Sequence, residues 1–279
     1  MKFSLASMGI ALAMAATGTG GARAAAVITV QNSGSDGAHA GQAETIYLEA
    51  DHLRMTRPDG SMIYREDLKK VWSIDDAHHS YREITAETMQ QMQAAMSQAK
   101  TRMEQQLKSL PEDQRKRIEA MMQQQGMGQS PAAAPPPMTY EKVGAARTVG
   151  KWSCTPFRVK GGPEPSDSGH EEYCIARLKD VGLTRDDLKP LVSLGKFMQQ
   201  MGPGGRAAQA FDLDAQTKAI GFEGLPVQTT RYSSDGKVEF QTTITDVAQK
   251  SVPANSFDLP AGYVKQEMSF GRPPGKGAP

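Results

Sequence analysis

Two cysteines carry the clearest chemistry in this chain, because a pair of thiols can form either a structural disulfide or a redox centre. Cys154 and Cys174 each lie in an apolar, β-prone run, "KWSCTPFRV" and "EEYCIARL", and a polar, turn-rich segment separates the two runs. Two strands joined by such a loop bring their thiols face to face, so the sequence predicts a cross-strand disulfide. A redox pair is the alternative, but it typically has the closer C-x-x-C spacing at the start of a helix.

Four methionines form the second group with possible chemistry, in the stretch "ETMQQMQAAMSQAKTRMEQQL". Met89, Met92, Met96 and Met103 recur at helical spacing and therefore share one face of a predicted helix. A copper(I) site requires two or three sulfur atoms that converge on one point. Flexible methionines also suit packing against a second helix or an apolar partner surface. We favour this second interpretation and keep metal binding as the alternative.

The histidines do not have the sequence spacing that is typical of a metal-binding site. His78 and His79 are adjacent and follow Asp75 and Asp76. Adjacent side chains on a strand point to opposite faces, so this pair can share an ion only within a turn, and a polar turn is the simpler interpretation. No metal site is predicted. The remaining histidines, His39, His52 and His170, are scattered along the chain.

Motifs of enzymes and cofactor-binding proteins are missing from the sequence. It contains no G-x-S-x-G elbow, no H-E-x-x-H helix and no glycine-rich phosphate loop after a strand. We therefore expect a protein that is not an enzyme and that uses no cofactor.

Residues 1–24 have the pattern of a secretory signal peptide: Lys2, a short stretch rich in Ala, Leu and Met, and an A-x-A cleavage site ending at Ala24. Its removal leaves 30 basic and 31 acidic residues, a balance that gives no field to attract nucleic acid. The expected product is periplasmic or secreted and does not span a membrane.

The rest of the chain divides into a β-sheet in two halves with a helical insertion. Short strands separated by turns fill residues 25–84, and a Met/Gln-rich helical hairpin follows at 85–125. A Pro/Ala linker covers 126–137, the second half of the sheet covers 138–266, and the tail 267–279 is expected to be disordered. Within the second half, Thr184 and Asp187 have the spacing of a capping box at the start of a helix.

Three segments resemble known families: "YLEADHLRMTRPDGSMIYREDLKKVWSIDDAHHSYREIT", "GKWSCTPFRV" and "FDLPAGY". They are similar to an uncharacterised family of exported bacterial proteins known only as a domain of unknown function. More loosely, they resemble the periplasmic lipoprotein carriers LolA and LolB. This resemblance implies an α+β fold, in which a curved, unclosed antiparallel sheet (a half-barrel) carries helices on its concave side.

The same resemblance implies that the sheet binds a lipid, an acyl chain or another amphipathic ligand in an apolar groove. The large apolar residues chosen as groove candidates are Trp72, Ile74, Phe240, Ile244 and Tyr263. Two alternatives stay open: a Met-rich metal-binding or stress-sensing protein, and a structural envelope protein that presents the helical hairpin to a protein partner.

Overall fold

A computed structural model describes residues 23–34, 41–108, 111–112, 114–115, 117, 137–161, 169–199 and 212–267. Several predicted segments lie outside these residues: the signal peptide up to residue 22, most of the second hairpin helix, nearly all of the Pro/Ala linker, and the tail from residue 268. The signal peptide, the linker and the tail stay predictions.

The first half of the chain forms the meander that the sequence predicts. Turns rich in Gly, Asp and Pro separate short runs of alternating apolar residues, which favours antiparallel hairpins. The strands are β1 (Arg23–Gly34), β2 (Ala43–Glu49), β3 (His52–Arg57), β4 (Gly60–Arg65), β5 (Lys70–Asp75) and β6 (Ser80–Ile84). Helix α1 (Ala86–Lys108) then begins the predicted insertion.

Within the described residues, the second half of the chain adds seven strands and three further helices. The strands are β7 (Thr139–Lys142), β8 (Arg147–Val149), β9 (Trp152–Lys160), β10 (His170–Arg177), β11 (Gly224–Tyr232), β12 (Val238–Val252) and β13 (Val264–Lys265). The helices are α2 (Leu178–Val181), α3 (Lys189–Gln199) and α4 (Leu213–Ile220), and 3₁₀ turns span Asp186–Leu188 and Ala254–Phe257.

All thirteen strands belong to one sheet that does not close. Its order is β13-β6-β5-β4-β3-β2-β1-β12-β11-β10-β9-β7, with β8 paired to β9. The two halves of the chain meet where β1 pairs with β12, from Arg23 opposite Val252 to Gly34 opposite Phe240. Every pairing is antiparallel except that of β13 with β6. The predicted α+β fold with a curved, unclosed sheet is therefore confirmed.

The central strand β1 is buried on both faces, which explains its continuous run of apolar residues. Val27 and Ile28 are 3% and 2% exposed, although successive side chains on a strand point in opposite directions. We call the side with Ile28 and Ile244 the helix face, because the helices cover it. We call the side with Val27 the back face, and the closing segment 253–263 covers it.

Side-chain caps fix where the covering helices begin. The hydroxyl and N–H of Thr184 each donate to the Asp187 carboxylate at 2.7 Å, so the predicted capping box is present. The helix expected from Thr184 starts as a 3₁₀ turn and becomes α3 only at Lys189, beside Pro190. The Asp212 carboxylate accepts from Ala215 N–H at 3.0 Å and caps α4.

The predicted disulfide is confirmed. Cys154 in β9 and Cys174 in β10 are bonded, with 5.3 Å between their Cα atoms, and both side chains are buried. The bond joins two strands that are already neighbours in the sheet.

Candidate functional site

An apolar cavity lies between the helix face of the sheet and the helices that cover it. Its volume is about 220 Å³. Both halves of the sheet contribute to its walls, and α3 and α4 form its roof. The lining residues are Ile28, Val30, Ile46, Met55, Tyr173, Leu188, Leu191, Leu213, Gln216, Leu225, Pro226, Thr229, Thr242 and Ile244.

The strand register explains why these distant residues meet. Val30 of β1 pairs directly with Ile244 of β12, and Thr242 of β12 pairs with Thr229 of β11. Directly paired residues share one face of a sheet, so these positions form a continuous wall. Leu191 of α3 faces this wall from the other side.

Few polar groups reach the cavity. Gln216 of α4 is 3% exposed, and its amide nitrogen lies 3.5 Å from the carbonyl oxygen of Gly224. The hydroxyl of Tyr173 donates to the Glu171 carboxylate at 3.2 Å. That carboxylate is buried and accepts from the Arg231 guanidinium at 3.0 Å. The wall therefore changes from apolar to charged along β10 and β11.

The structure does not bring the five predicted groove residues together. Ile244 lines the cavity, and Phe240 lies half-buried two residues beyond Thr242 on the same strand, outside the lining. Trp72 and Ile74 lie instead on the back face, packed in a cluster with Phe257. Alternation places Trp72 and Ile74 together, as expected, but does not determine which covering element meets them.

Tyr263 also belongs to the back face, at the end of the closing segment. Its hydroxyl donates to the Asp76 carboxylate at 2.7 Å, and its ring lies 5.4 Å from that of His79. His78 is paired separately with Asp75 at 2.8 Å. The four polar residues of this turn thus divide between two contacts and do not converge on one point.

Helices supply cavity residues that the sequence analysis missed. Leu188, Leu191 and Leu213 were not among the candidates, and α4 itself was not predicted. A signal for α4 was present: Asp212 can cap a helix, and Gly221 has the left-handed conformation (φ 83°) that ends one.

The methionine row of α1 passes from core to solvent. Met89 is 3% exposed and belongs to the core under the helix face, Met92 is half-buried, and Met103 is 39% exposed. The side chain of Met96 lies outside the described residues. Met89 and Met103 are about 21 Å apart along the helix axis, at 1.5 Å per residue, so their sulfur atoms cannot share one ion.

None of the helices in the described part of the chain combines the length and apolar character needed to cross a membrane.

Solved structures similar to this chain include the following three. An uncharacterised conserved protein from Thermus thermophilus aligns over 87% of this chain and 89% of its own, with 8% identity and a TM-score of 0.43. The MucA/MucB complex of Pseudomonas aeruginosa aligns over 86% of this chain and 56% of the other, with 9% identity and a TM-score of 0.35. A structure of MucB aligns over 90% and 63%, with 11% identity and a TM-score of 0.35. We transfer no function from these structures.

The comparison with curated proteins gives no match. The family comparison does: residues 42–263 match a domain of unknown function, DUF4412. The match includes every strand from β2 to β12 together with the covering helices and Phe257. Because the match extends over most of the chain, and as the sequence resemblance predicts, the chain belongs to the DUF4412 family.

Proposed function

We propose that the protein binds the apolar part of a lipid or fatty acid in the cavity of the helix face, in the cell envelope and without catalysing a reaction. The observation that supports this proposal is the cavity itself. Its walls are mainly aliphatic, with Ile28, Leu191, Leu213 and Ile244 among them. Apolar cavities stay dry and bind apolar molecules, because water inside would lose its hydrogen bonds.

The size of the cavity limits the ligand. Sites for drug-sized molecules measure about 300–1,000 Å³. At about 220 Å³, this cavity suits one acyl chain or its end and is too small for a whole lipid.

The charged end of the wall favours an amphipathic ligand over a pure hydrocarbon. Thr229 lines the cavity, and Arg231, two residues later on the same face of β11, pairs with Glu171. A chain that enters from this end would keep its polar head beside charged groups while its apolar part is buried. Cys154 and Cys174 are consistent with the oxidising compartment that this function requires.

A cavity-filling substitution tests the proposal. The probe is N-phenyl-1-naphthylamine, a neutral fluorophore that brightens in apolar sites. We expect the wild type to bind it saturably, one molecule per chain. Leu191→Trp should abolish binding, because the indole occupies the cavity. Leu259→Trp is the matched control: Leu259 is also half-buried, but it packs on the back face and its variant should bind normally.

The opposite results would remove the proposal. If the wild type binds no probe, and native mass spectrometry of protein purified from its own periplasm detects no lipid, the structural alternative should replace it. Equal loss of binding in both tryptophan variants would also contradict a site on the helix face.

Helix α1 supports a second candidate function, docking of an envelope protein. The helix has 23 residues, and after Met89 most of its described side chains are exposed. A row with Met92 half-buried and Met103 exposed offers an adaptable apolar surface. Replacing residues 90–136 by a flexible linker, with Met89 retained, separates the two functions: probe binding should persist, whereas partner binding should be lost.

A further inference from the structure

His52, the first residue of β3, is buried without satisfied nitrogen atoms. Its side chain is only 9% exposed, yet neither ring nitrogen makes a hydrogen bond to any residue that the structure describes. Nδ1 lies 3.1 Å from Oδ1 of Asp51, a contact that is an ion pair when His52 is protonated and is not a hydrogen bond. Buried polar atoms are almost always paired, so this exception points to a partner atom that is not part of the chain.

Carboxylates from two different turns and from the end of β2 surround the ring, with Oε2 of the buried Glu49 4.0 Å from Nδ1. Asp51 lies in the turn between β2 and β3, and Asp67 lies in the turn between β4 and β5, with its Oδ1 3.5 Å from Nε2 of His52. The turns meet because β3 pairs with β4, which places His52 opposite Arg65. One ligand atom from each of Asp51, His52 and Asp67 lies within 4.8 Å of the other two.

Neighbouring residues hold these groups in place. Arg65 donates two hydrogen bonds to Asp67, at 2.8 and 2.7 Å, which orient the carboxylate. The ring of Phe257 stacks on the imidazole, with 5.5 Å between ring centroids. Such orienting contacts are typical of the surroundings of metal ligands.

Asp51 and Asp67 line a polar cleft of about 510 Å³, whereas His52 lies behind them and does not line it. Asp186 and Asp214 also line the cleft and pair with Lys189 and Arg185. The cleft gives an ion a path from solvent and leaves room for water or another ligand at the remaining coordination positions.

We propose that Asp51, His52 and Asp67 form a binding site for a divalent transition-metal ion such as Zn²⁺. The ion binds one ring nitrogen of His52 and one oxygen of each carboxylate. A mixed imidazole and carboxylate set suits Zn²⁺ or Mn²⁺, whereas copper(I) prefers sulfur and Ca²⁺ prefers oxygen alone. Zn²⁺ holds such ligands at about 2.0–2.2 Å. The two short contacts involve different ring nitrogens, Nδ1 with Asp51 and Nε2 with Asp67, so binding of one ion requires one carboxylate to rotate toward the nitrogen that holds the ion. This site is independent of the apolar cavity.

Calorimetric titration with ZnCl₂ tests the site, on the mature chain purified without a histidine tag and stripped with a chelator. We expect one ion per chain. His52→Phe keeps a flat ring against Phe257 and removes both nitrogen atoms, so affinity should fall at least about tenfold, the lower range for lost metal contacts. Asp51→Asn should cause a similar fall. Zn²⁺ should raise the melting temperature of the wild type and not that of His52→Phe.

His78→Phe is the matched control. It removes another histidine paired with an aspartate, Asp75 at 2.8 Å, but this one is 74% exposed. Its affinity for Zn²⁺ should equal that of the wild type. Absence of binding in the wild type would overturn the proposal, and so would equal affinity in the wild type and His52→Phe. If His52→Phe does not fold, Asp51→Asn decides between these outcomes.

Discussion

The two faces of the sheet are built from the same strands, yet one is filled and the other encloses a cavity. On the back face, Ile63 is fully buried, and Phe257 of the closing segment is 2% exposed. On the helix face, Ile244 is 6% exposed and borders about 220 Å³ of empty space.

The difference lies in what covers each face. The closing segment, which includes the 3₁₀ turn Ala254–Phe257, packs on the back face and inserts the ring of Phe257 among its side chains. The helix face is covered by the short helices α3 and α4 and the 3₁₀ turn Asp186–Leu188, and a cavity is left between these elements and the sheet. Alternating apolar residues along the strands make a face of the sheet apolar. The element that covers the face decides whether it becomes a packed core or a cavity.

Removing the aromatic ring of the back face should have the largest effect. We expect Phe257→Ala to reduce the free energy of unfolding by about 3–5 kcal/mol, because it leaves a large void in a filled core. Leu213→Ala on the cavity side should cost no more than about 1.5 kcal/mol, since that side chain is only half-buried. Urea denaturation measures both. Equal losses would contradict the distinction between the two faces.

Reduction of the disulfide should have the second-largest effect on stability. It tests whether the difference between the two faces depends on this covalent bond. The oxidised protein should contain no free thiol, as the Cys154–Cys174 bond requires. Reduction should lower the free energy of unfolding by about 3 kcal/mol and create no thiol-disulfide exchange activity. While the reduced protein stays folded, it should still bind N-phenyl-1-naphthylamine. Two alkylatable thiols in native protein would contradict this prediction.

Replacing one isoleucine on each face by phenylalanine compares the free space on the two faces directly. Ile63→Phe should cost about 1–3 kcal/mol, because a filled core has no room for the ring. Ile244→Phe should cost less than about 1 kcal/mol, because the ring can enter the cavity, and it should weaken probe binding. Melting temperatures and probe titrations measure the pair. A larger loss for Ile244→Phe would mean that the helix face is packed as tightly as the back face.

The sequence predicts the sheet well because local rules determine its parts. Alternating residues and turn chemistry define the strands β2 to β6, the flanking strands pair Cys154 with Cys174, and the Thr184 capping box starts the helical cover. Each of these features depends on residues that are close in the sequence or on one intervening loop.

The candidate site was predicted less well because it depends on contacts between distant residues. Trp72 and Ile244 look alike in the sequence, each being a large apolar residue on an alternating strand. They differ only because the closing segment, some 180 residues after Trp72, returns to the back face and brings Phe257 with it. His52 was missed for a different reason: its spacing to Asp51 and Asp67 matches no known ligand motif, and the three residues meet only through the pairing of β3 with β4.

The smallest predicted effect concerns Glu83 of β6, which lies opposite Trp72 on the back face. Burial raises the pKa of this carboxyl, but hydrogen bonds from Trp72, Lys70 and Lys265 outweigh burial and lower the pKa below its usual 4.5. A lowered pKa in the folded state contributes stability above pH 4.5, and this contribution is lost as the pH falls through the folded value.

Glu83→Gln retains an acceptor for Trp72 and removes the charge. The variant should therefore be less stable than the wild type by under about 1 kcal/mol at pH 7, and this difference should be smaller at pH 3. Urea denaturation at both pH values measures this, with Glu141→Gln as the control at an exposed ion pair.

Probe binding should not change at pH 7, because Glu83 faces away from the cavity. A change in probe affinity would mean that the two faces are coupled through the sheet, and their separation into core and site would have to be abandoned.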